Sequence, residues 1–303
     1  MGSYYQGISS SEYFRILTWK DIAAGGISHA GGNAWLLRDD GELYTCSLSG
    51  EIVKAEIEKE IRCIDAHDKA MWVLKNTGDI DSREGFDDAH PIGFSWEPID
   101  VQQLQPHKAT HIGIGSTSAW LVDEAGEPWF RFDVISRDRE SGFSQVWVQS
   151  GLDGAGNQLS KIKVGSLYVW ALDVKGNVYT RLGVSAEFPI GKKWLMVEGA
   201  KGKDLCVSMY HVWILTPEGS VLCRHGISPV VLEGLLWKKV PGSFEKISCT
   251  KEGQLWGLQK DNSTVVKRLT RTLKFKYATN KHEIDTDSFT EAVALNKEDW
   301  EVL

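Results

Sequence analysis

A six-bladed β-propeller, an all-β fold, is what this 303-residue sequence predicts, on three observations. One pattern recurs six times: an apolar strand holding a tryptophan, a tight turn, then a second strand of alternating apolar residues. It reads NAWLLRDDGELYTC (33–46), AMWVLKNTGDIDSR (70–83), SAWLVDEAGEPWFR (118–131), YVWALDVKGNVYTR (168–181), HVWILTPEGSVLCR (211–224) and QLWGLQKDNSTVVKR (254–268). A second tryptophan landmark, at Trp19, Trp96, Trp147, Trp194 and Trp237, opens a short strand ahead of most copies. The first landmark recurs at spacings of 37, 48, 50, 43 and 43 residues, enough for three or four short strands. One small antiparallel sheet cannot bury both its faces, so units of this length stack radially.

Each element has a local reason. The turns centre on Gly41, Gly78, Gly126, Gly176, Gly219 and, in the last copy, Asn262. Glycine and asparagine tolerate the positive φ that a tight hairpin demands. Between the two landmarks lies a third strand, seen in ATHIGIG (109–115), LSKIKVG (159–165) and FEKISCT (244–250). A sandwich has no need of one Trp–turn pattern six times, and helical periodicity is too sparse for an α/β fold. The predicted organisation is a tag remnant at 1–3, a propeller over 4–277 and an acidic tail over 278–303. The blades run 16–58, 59–95, 96–146, 147–193, 194–236 and 237–277. The basic strand VVKRLTRTLKFKY (265–277) is expected to pair with YFRIL (13–17) and close the ring, removing two exposed edges.

Charge is unevenly spread. Of a net −7, the tail carries −5, with seven acids against Lys281 and Lys297, which leaves −2 on the other 277 residues. A nearly neutral body gives no support for nucleic-acid binding. No apolar run reaches the roughly 20 residues of a membrane span. The five cysteines, Cys46, Cys63, Cys206, Cys223 and Cys249, form no C-x-x-C knuckle and read as buried free thiols in a reducing compartment. The eight histidines show no H-E-x-x-H spacing, and neither G-x-S-x-G nor a G-x-x-x-x-G-K loop is present. The glycine-rich GLDGAGN (151–157) opens no helix and reads as a loop. The expectation is a non-enzyme without cofactor or metal.

Beyond Tyr277 the repeat stops. Residues 288–296 (SFTEAVALN) carry a capping box, Ser288 with Glu291, for a short helix. The chain then closes on Lys297-Glu298-Asp299-Trp300-Glu301-Val302-Leu303, an apolar pair rimmed by acids. An extended peptide that adds a strand to a sheet edge draws affinity from main-chain hydrogen bonds and specificity from its anchors. Acids before the tryptophan steer it towards a basic groove. The bare W-x-x-[LIV] pattern also occurs at Trp19/Ile22, Trp96/Ile99, Trp194/Val197 and Trp237/Val240, which read as core strands. Two other readings of the tail stay open: Trp300 plugging a groove on its own propeller, or the Leu303 carboxylate serving as a PDZ-type C-terminal ligand.

The stretches WLMVEG (194–199) and IKVGSLYVWALDVKGNVYTRLGVS (162–185) resemble the tectonin repeat, and the resemblance extends over about residues 16–277. It departs at blade 2, which lacks an opening tryptophan, and at Asp261-Asn262 of blade 6. Relatives of this type include lectins that bind sugars through aromatic residues. The resemblance therefore makes Trp129, outside both landmarks, a candidate glycan contact. The tail in turn resembles the motif that binds ubiquitin-like autophagy modifiers of the GABARAP and light-chain-3 type. By that resemblance Trp300 and Leu303 fill two hydrophobic pockets, with Val302 between them. Glu298, Asp299 and Glu301 would face lysines and arginines. The same family likeness implies a cytoplasmic scaffold in autophagy and export from the endoplasmic reticulum, working through coat and tethering complexes.

Overall fold

The computed structural model describes residues 18–25, 34–47, 51–57, 60–67, 70–86, 90, 92–132, 134, 146–166, 168–185, 187–209, 211–260, 265–268 and 300–302. Every named sheet is antiparallel and follows chain order. The first holds β1 (Trp19–Ala24), β2 (Ala34–Arg38), β3 (Leu43–Cys46) and β4 (Ile52–Ala55). The second holds β5 (Ile61–His67), β6 (Ala70–Lys75), β7 (Ile80–Glu84) and β8 (Ser95–Ile99). A single 3-10 turn, Gln102–Leu104, precedes the third, which holds β9 (Ala109–Ile114), β10 (Ser118–Asp123), β11 (Pro128–Phe132) and β12 (Val148–Gln149). The fourth holds β13 (Leu159–Val164), β14 (Val169–Asp173), β15 (Asn177–Leu182) and β16 (Lys193–Lys201).

The remaining strands form one seven-stranded sheet: β17 (Asp204–Val207), β18 (Val212–Leu215), β19 (Ser220–His225), β20 (Leu236–Cys249), β21 (Leu255–Gln259), β22 (Val265–Arg268) and β23 (Trp300–Val302). The described strands thus make five sheets where the sequence predicts six separate blades. The reason is β20. Its 14 residues continue past Pro241 and Gly242 with a bulge, where Gly242 takes a φ of 117°, but without a reversing turn, so the fifth and sixth sequence repeats share one strand. Its first part pairs with β19 and its last part with β21.

Two further expectations are corrected. The Trp96, Trp194 and Trp237 strands lie at the outer edge of the preceding repeat, paired with its third strand, and do not open the next one. The repeats therefore begin near Trp19, Ile61, Ala109, Leu159, Asp204 and Phe244, and the predicted blade limits are out of phase by one strand. Trp19 itself starts an inner strand, at the place taken by Ile61, Leu159 and Phe244 elsewhere. The expected closing partner, 13–17, and residues 269–277 of the basic strand lie outside the described residues. Among the described residues, β22 has β21 and β23 as its neighbours.

The core lies between successive repeats. Each of six apolar clusters draws on two neighbours, and one unites Trp19, Tyr44 and Cys46 of the first repeat with Trp256, Leu258 and Val265 of the last. The first-landmark tryptophans anchor these interfaces: Trp35, Trp72, Trp120, Trp170 and Trp256 are fully buried and Trp213 nearly so. Such rings each bury on the order of 200 Å². Inner strands approach closely at the axis, which explains the glycine that ends I-x-V-G. A Cβ on Gly165 would lie 2.7 Å from the Ser208 carbonyl oxygen of the next repeat and 2.8 Å from Val207 Cγ1. Gly165→Ala should lower unfolding free energy by about 1–3 kcal/mol, the usual cost of overpacking, read from the denaturant midpoint.

Candidate functional site

Three places concentrate polar or aromatic chemistry. At the axis, one register position of the inner strands, opposite the residue two after each first-landmark tryptophan, converges on a cavity of about 220 Å³: Asp21, Cys63, His111, Lys161, Asp204 and Lys246, one from each repeat. Side chains here reach across each junction to the next repeat. Ile64 N–H donates to Asp21 (3.2 Å), Ile114 N–H to Asp65 (2.7 Å) and Ile162 N–H to His111 Nδ1 (3.2 Å). Lys161 donates to Asp204 (2.8 Å), Ile247 N–H to Asp204 (3.5 Å), and Ala24 N–H to Ser248 (2.8 Å), which joins last repeat to first. Lys163 pairs with Asp65, and Lys246 with Asp21 at 3.4 Å.

This girdle explains the charge states. Burial opposes ionisation of Asp204, but Lys161 and Lys246 outweigh it and hold the carboxyl below the usual carboxylate range. Burial, with Asp21 beside it, pushes the Cys63 thiol up to about 12, so it is no nucleophile at neutral pH. All five cysteines are free, and all but the half-buried Cys63 are buried. Burial, then Lys163 and Lys161, push His111 well below its ordinary 6.5, so its ring stays neutral and accepts the Ile162 N–H. The unfolded chain binds a proton there that the folded chain refuses. His111 therefore adds a pH dependence that is absent above 6.5 and erodes stability as pH falls below it. The denaturant midpoint of the wild type should drop between about pH 7 and pH 5.5, and His111→Asn should flatten that slope. Among the described residues, no group of three or more His, Cys, Asp or Glu is placed to hold a metal ion.

The second place is a ladder of tryptophan and arginine along the outer strands. In the register, Arg83 lies opposite Trp96, Arg181 opposite Trp194 and Arg224 opposite Trp237. The guanidinium carbons stand 5.2, 5.1 and 5.0 Å from those ring centroids. Each arginine also donates to carbonyls of the loop beside it: Arg83 to Ile92 and Gly93, Arg181 to Ile190, Arg224 to Glu233. Burial lowers Arg181 to about 10. The indoles tie neighbouring repeats together, since Trp96 donates to the Glu56 carbonyl, Trp194 to Gly151 and Trp237 to Glu198. These arginines went unread in the sequence, although each stands eleven residues after its repeat's first tryptophan (Trp72, Trp170, Trp213).

Trp129, outside both tryptophan landmarks, nonetheless holds a recurring position in the repeat. It stands nine residues after Trp120, as Tyr44 follows Trp35 and Tyr179 follows Trp170. Its indole donates to Asp123 Oδ2 (2.9 Å), matching Tyr179 and Asp173, and its half-buried ring packs against the cluster of Trp72 and Trp147.

The third place is the C-terminal strand. β23 pairs antiparallel with β22, setting Trp300 opposite Arg268, Glu301 opposite Lys267 and Val302 opposite Val266. Glu298, Asp299, Leu303 and the expected helix at 288–296 lie outside the described residues. No helix among the described residues is long and apolar enough to cross a membrane.

Two stretches, 168–197 and 211–240, match a family model described as a propeller. Solved structures sharing the fold include human WBSCR16 (TM-score 0.53, 11% identity, covering 83% of this chain and 77% of that one). Another is yeast RCC1 (Prp20) bound to Kap60 (0.53, 12%, 88% and 84%), and a third a streptogramin B lyase (0.53, 12%, 84% and 80%). At such identities the likeness shows the fold alone. Tectonin beta-propeller repeat-containing protein 2 of Homo sapiens is 26% identical over 220 residues, which is 69% of this chain and 15% of that protein. The chain is an all-β propeller, similar over 69% of its length to a short part of that human tectonin-repeat relative.

Proposed function

We propose that this chain is a non-catalytic cytoplasmic scaffold of six repeats around one axis, recruited to autophagy modifiers through its C-terminal strand. The observation that carries the reading is the tail itself: Trp300 and Leu303 at W-x-x-L spacing, with Glu298, Asp299 and Glu301 around them, closing a −5 segment on a nearly neutral body. Strand addition fits it, because the Trp300–Val302 backbone already adopts an extended conformation that pairs with a sheet edge. The partner is a basic groove beside an open edge with two apolar pockets, as in GABARAP and light-chain-3 type modifiers. The rigid body would then present that partner to coat and tethering complexes of the endoplasmic reticulum. Calorimetric titration of GABARAP with the chain and with its Trp300→Ala/Leu303→Ala variant tests this. Heat from the wild type and none from the variant is expected, whereas silence from both would end the reading.

A further inference from the structure

The sixth repeat supplies only three strands of its own before residue 269, the last part of β20 with β21 and β22, where the earlier repeats have four. β23 fills the fourth place from the far end of the tail. Its register repeats the rule of the other outer strands. Arg268 follows Lys267, which faces Trp256, just as Arg181 follows Thr180, which faces Trp170. Trp300 opposite Arg268 thus holds the place of Trp96 opposite Arg83, Trp194 opposite Arg181 and Trp237 opposite Arg224. The spacing agrees as well: W-E-V-L ends the chain where W-E-P-I, W-L-M-V and W-K-K-V mark the other outer strands. In those strands the residue three after tryptophan, Ile99, Val197 or Val240, is buried.

We infer that the C-terminal W-x-x-L is the displaced fourth strand of the sixth repeat. A partner binding it must first draw it off the propeller. This rests on the proposed recruitment reading for the partner, but its cis half stands independently on the register. The two uses exclude one another because strand addition to a partner draws on the main-chain edge of 300–302 that β22 already occupies. In the register Lys267 stands opposite Glu301.

Two measurements on the full chain test this. Trp300→Ala without any partner should lower the thermal midpoint, on the order of 5 °C. An unchanged midpoint would overturn the cis docking. Lys267→Cys with Glu301→Cys, directly opposed residues, should then oxidise to an intrachain disulfide, since opposed strand positions lie within disulfide reach. The oxidised chain should bind GABARAP at least tenfold more weakly than the same chain reduced. Equal affinity in both states would refute exclusivity, and a disulfide found only between two chains would show strand exchange in place of cis docking. If the reduced chain and the wild type both fail to bind, the recruitment reading fails, while the midpoint shift and the disulfide still judge the docking.

Discussion

Asp204→Ala should destabilise the propeller by about 3 kcal/mol, more than any other single polar replacement at the axis. The carboxylate is buried, receives Lys161 at 2.8 Å, accepts the Ile247 N–H and faces Lys246. Its removal leaves two lysines around an empty place and a main-chain donor without its acceptor. Breaking a buried pair by deleting one partner typically costs about 3–5 kcal/mol. The lower end applies because the Lys161 side chain keeps 23% of its exposure. Asp204→Asn retains the acceptor and loses the charge, so it should fall between wild type and alanine. Lys161→Met added to Asp204→Leu should recover much of the loss, because an apolar pair of similar volume needs no compensation. Denaturant midpoints at unchanged m-value would report all three. The sign with pH is also fixed. Because Asp204 is held below its ordinary 3.8, its contribution is whole above that value and fades as pH drops beneath it.

The second large effect is on partner binding. A short strand-adding motif binds at roughly micromolar strength, about −8 kcal/mol. A few buried anchors carry most of such energy. Trp300→Ala with Leu303→Ala should therefore weaken GABARAP by at least about 100-fold, beyond calorimetric detection. Glu298→Lys with Asp299→Lys should act differently, slowing association and reducing its salt dependence while leaving the anchors in place.

Much of the fold was legible because tryptophan and glycine mark each repeat at fixed distances. Hairpin registers followed from Trp35 to Trp256, and the turn at Gly176 takes the positive φ (77°) its place in the sequence calls for. What stayed hidden was relational. Nothing in Leu236–Cys249 announces that it will run on, through a bulge, into two repeats, since Pro241-Gly242 usually reads as a turn. The axial girdle was unreadable for a different cause: Asp21, His111, Lys161 and Asp204 share a position but not a residue type, so no motif connects them. Trp129 and the arginine ladder were within reach, at nine and eleven residues after the landmark. The tail offered the clearest lesson. W-x-x-[LIV] at Trp96, Trp194 and Trp237 reads as core, and at Trp300 as a free peptide, yet the register gives all four one structural place.

Amide hydrogen exchange of the whole chain, alone and with saturating GABARAP, tests most directly whether one strand serves both propeller and partner. Alone, the amides of 300–302 should be protected together with those of 266–268. With the modifier, 300–302 should stay protected while 266–268 lose protection, as β22 becomes an open edge. Rapid exchange at 300–302 in the free chain, or protection of 266–268 that GABARAP leaves unchanged, would contradict the account.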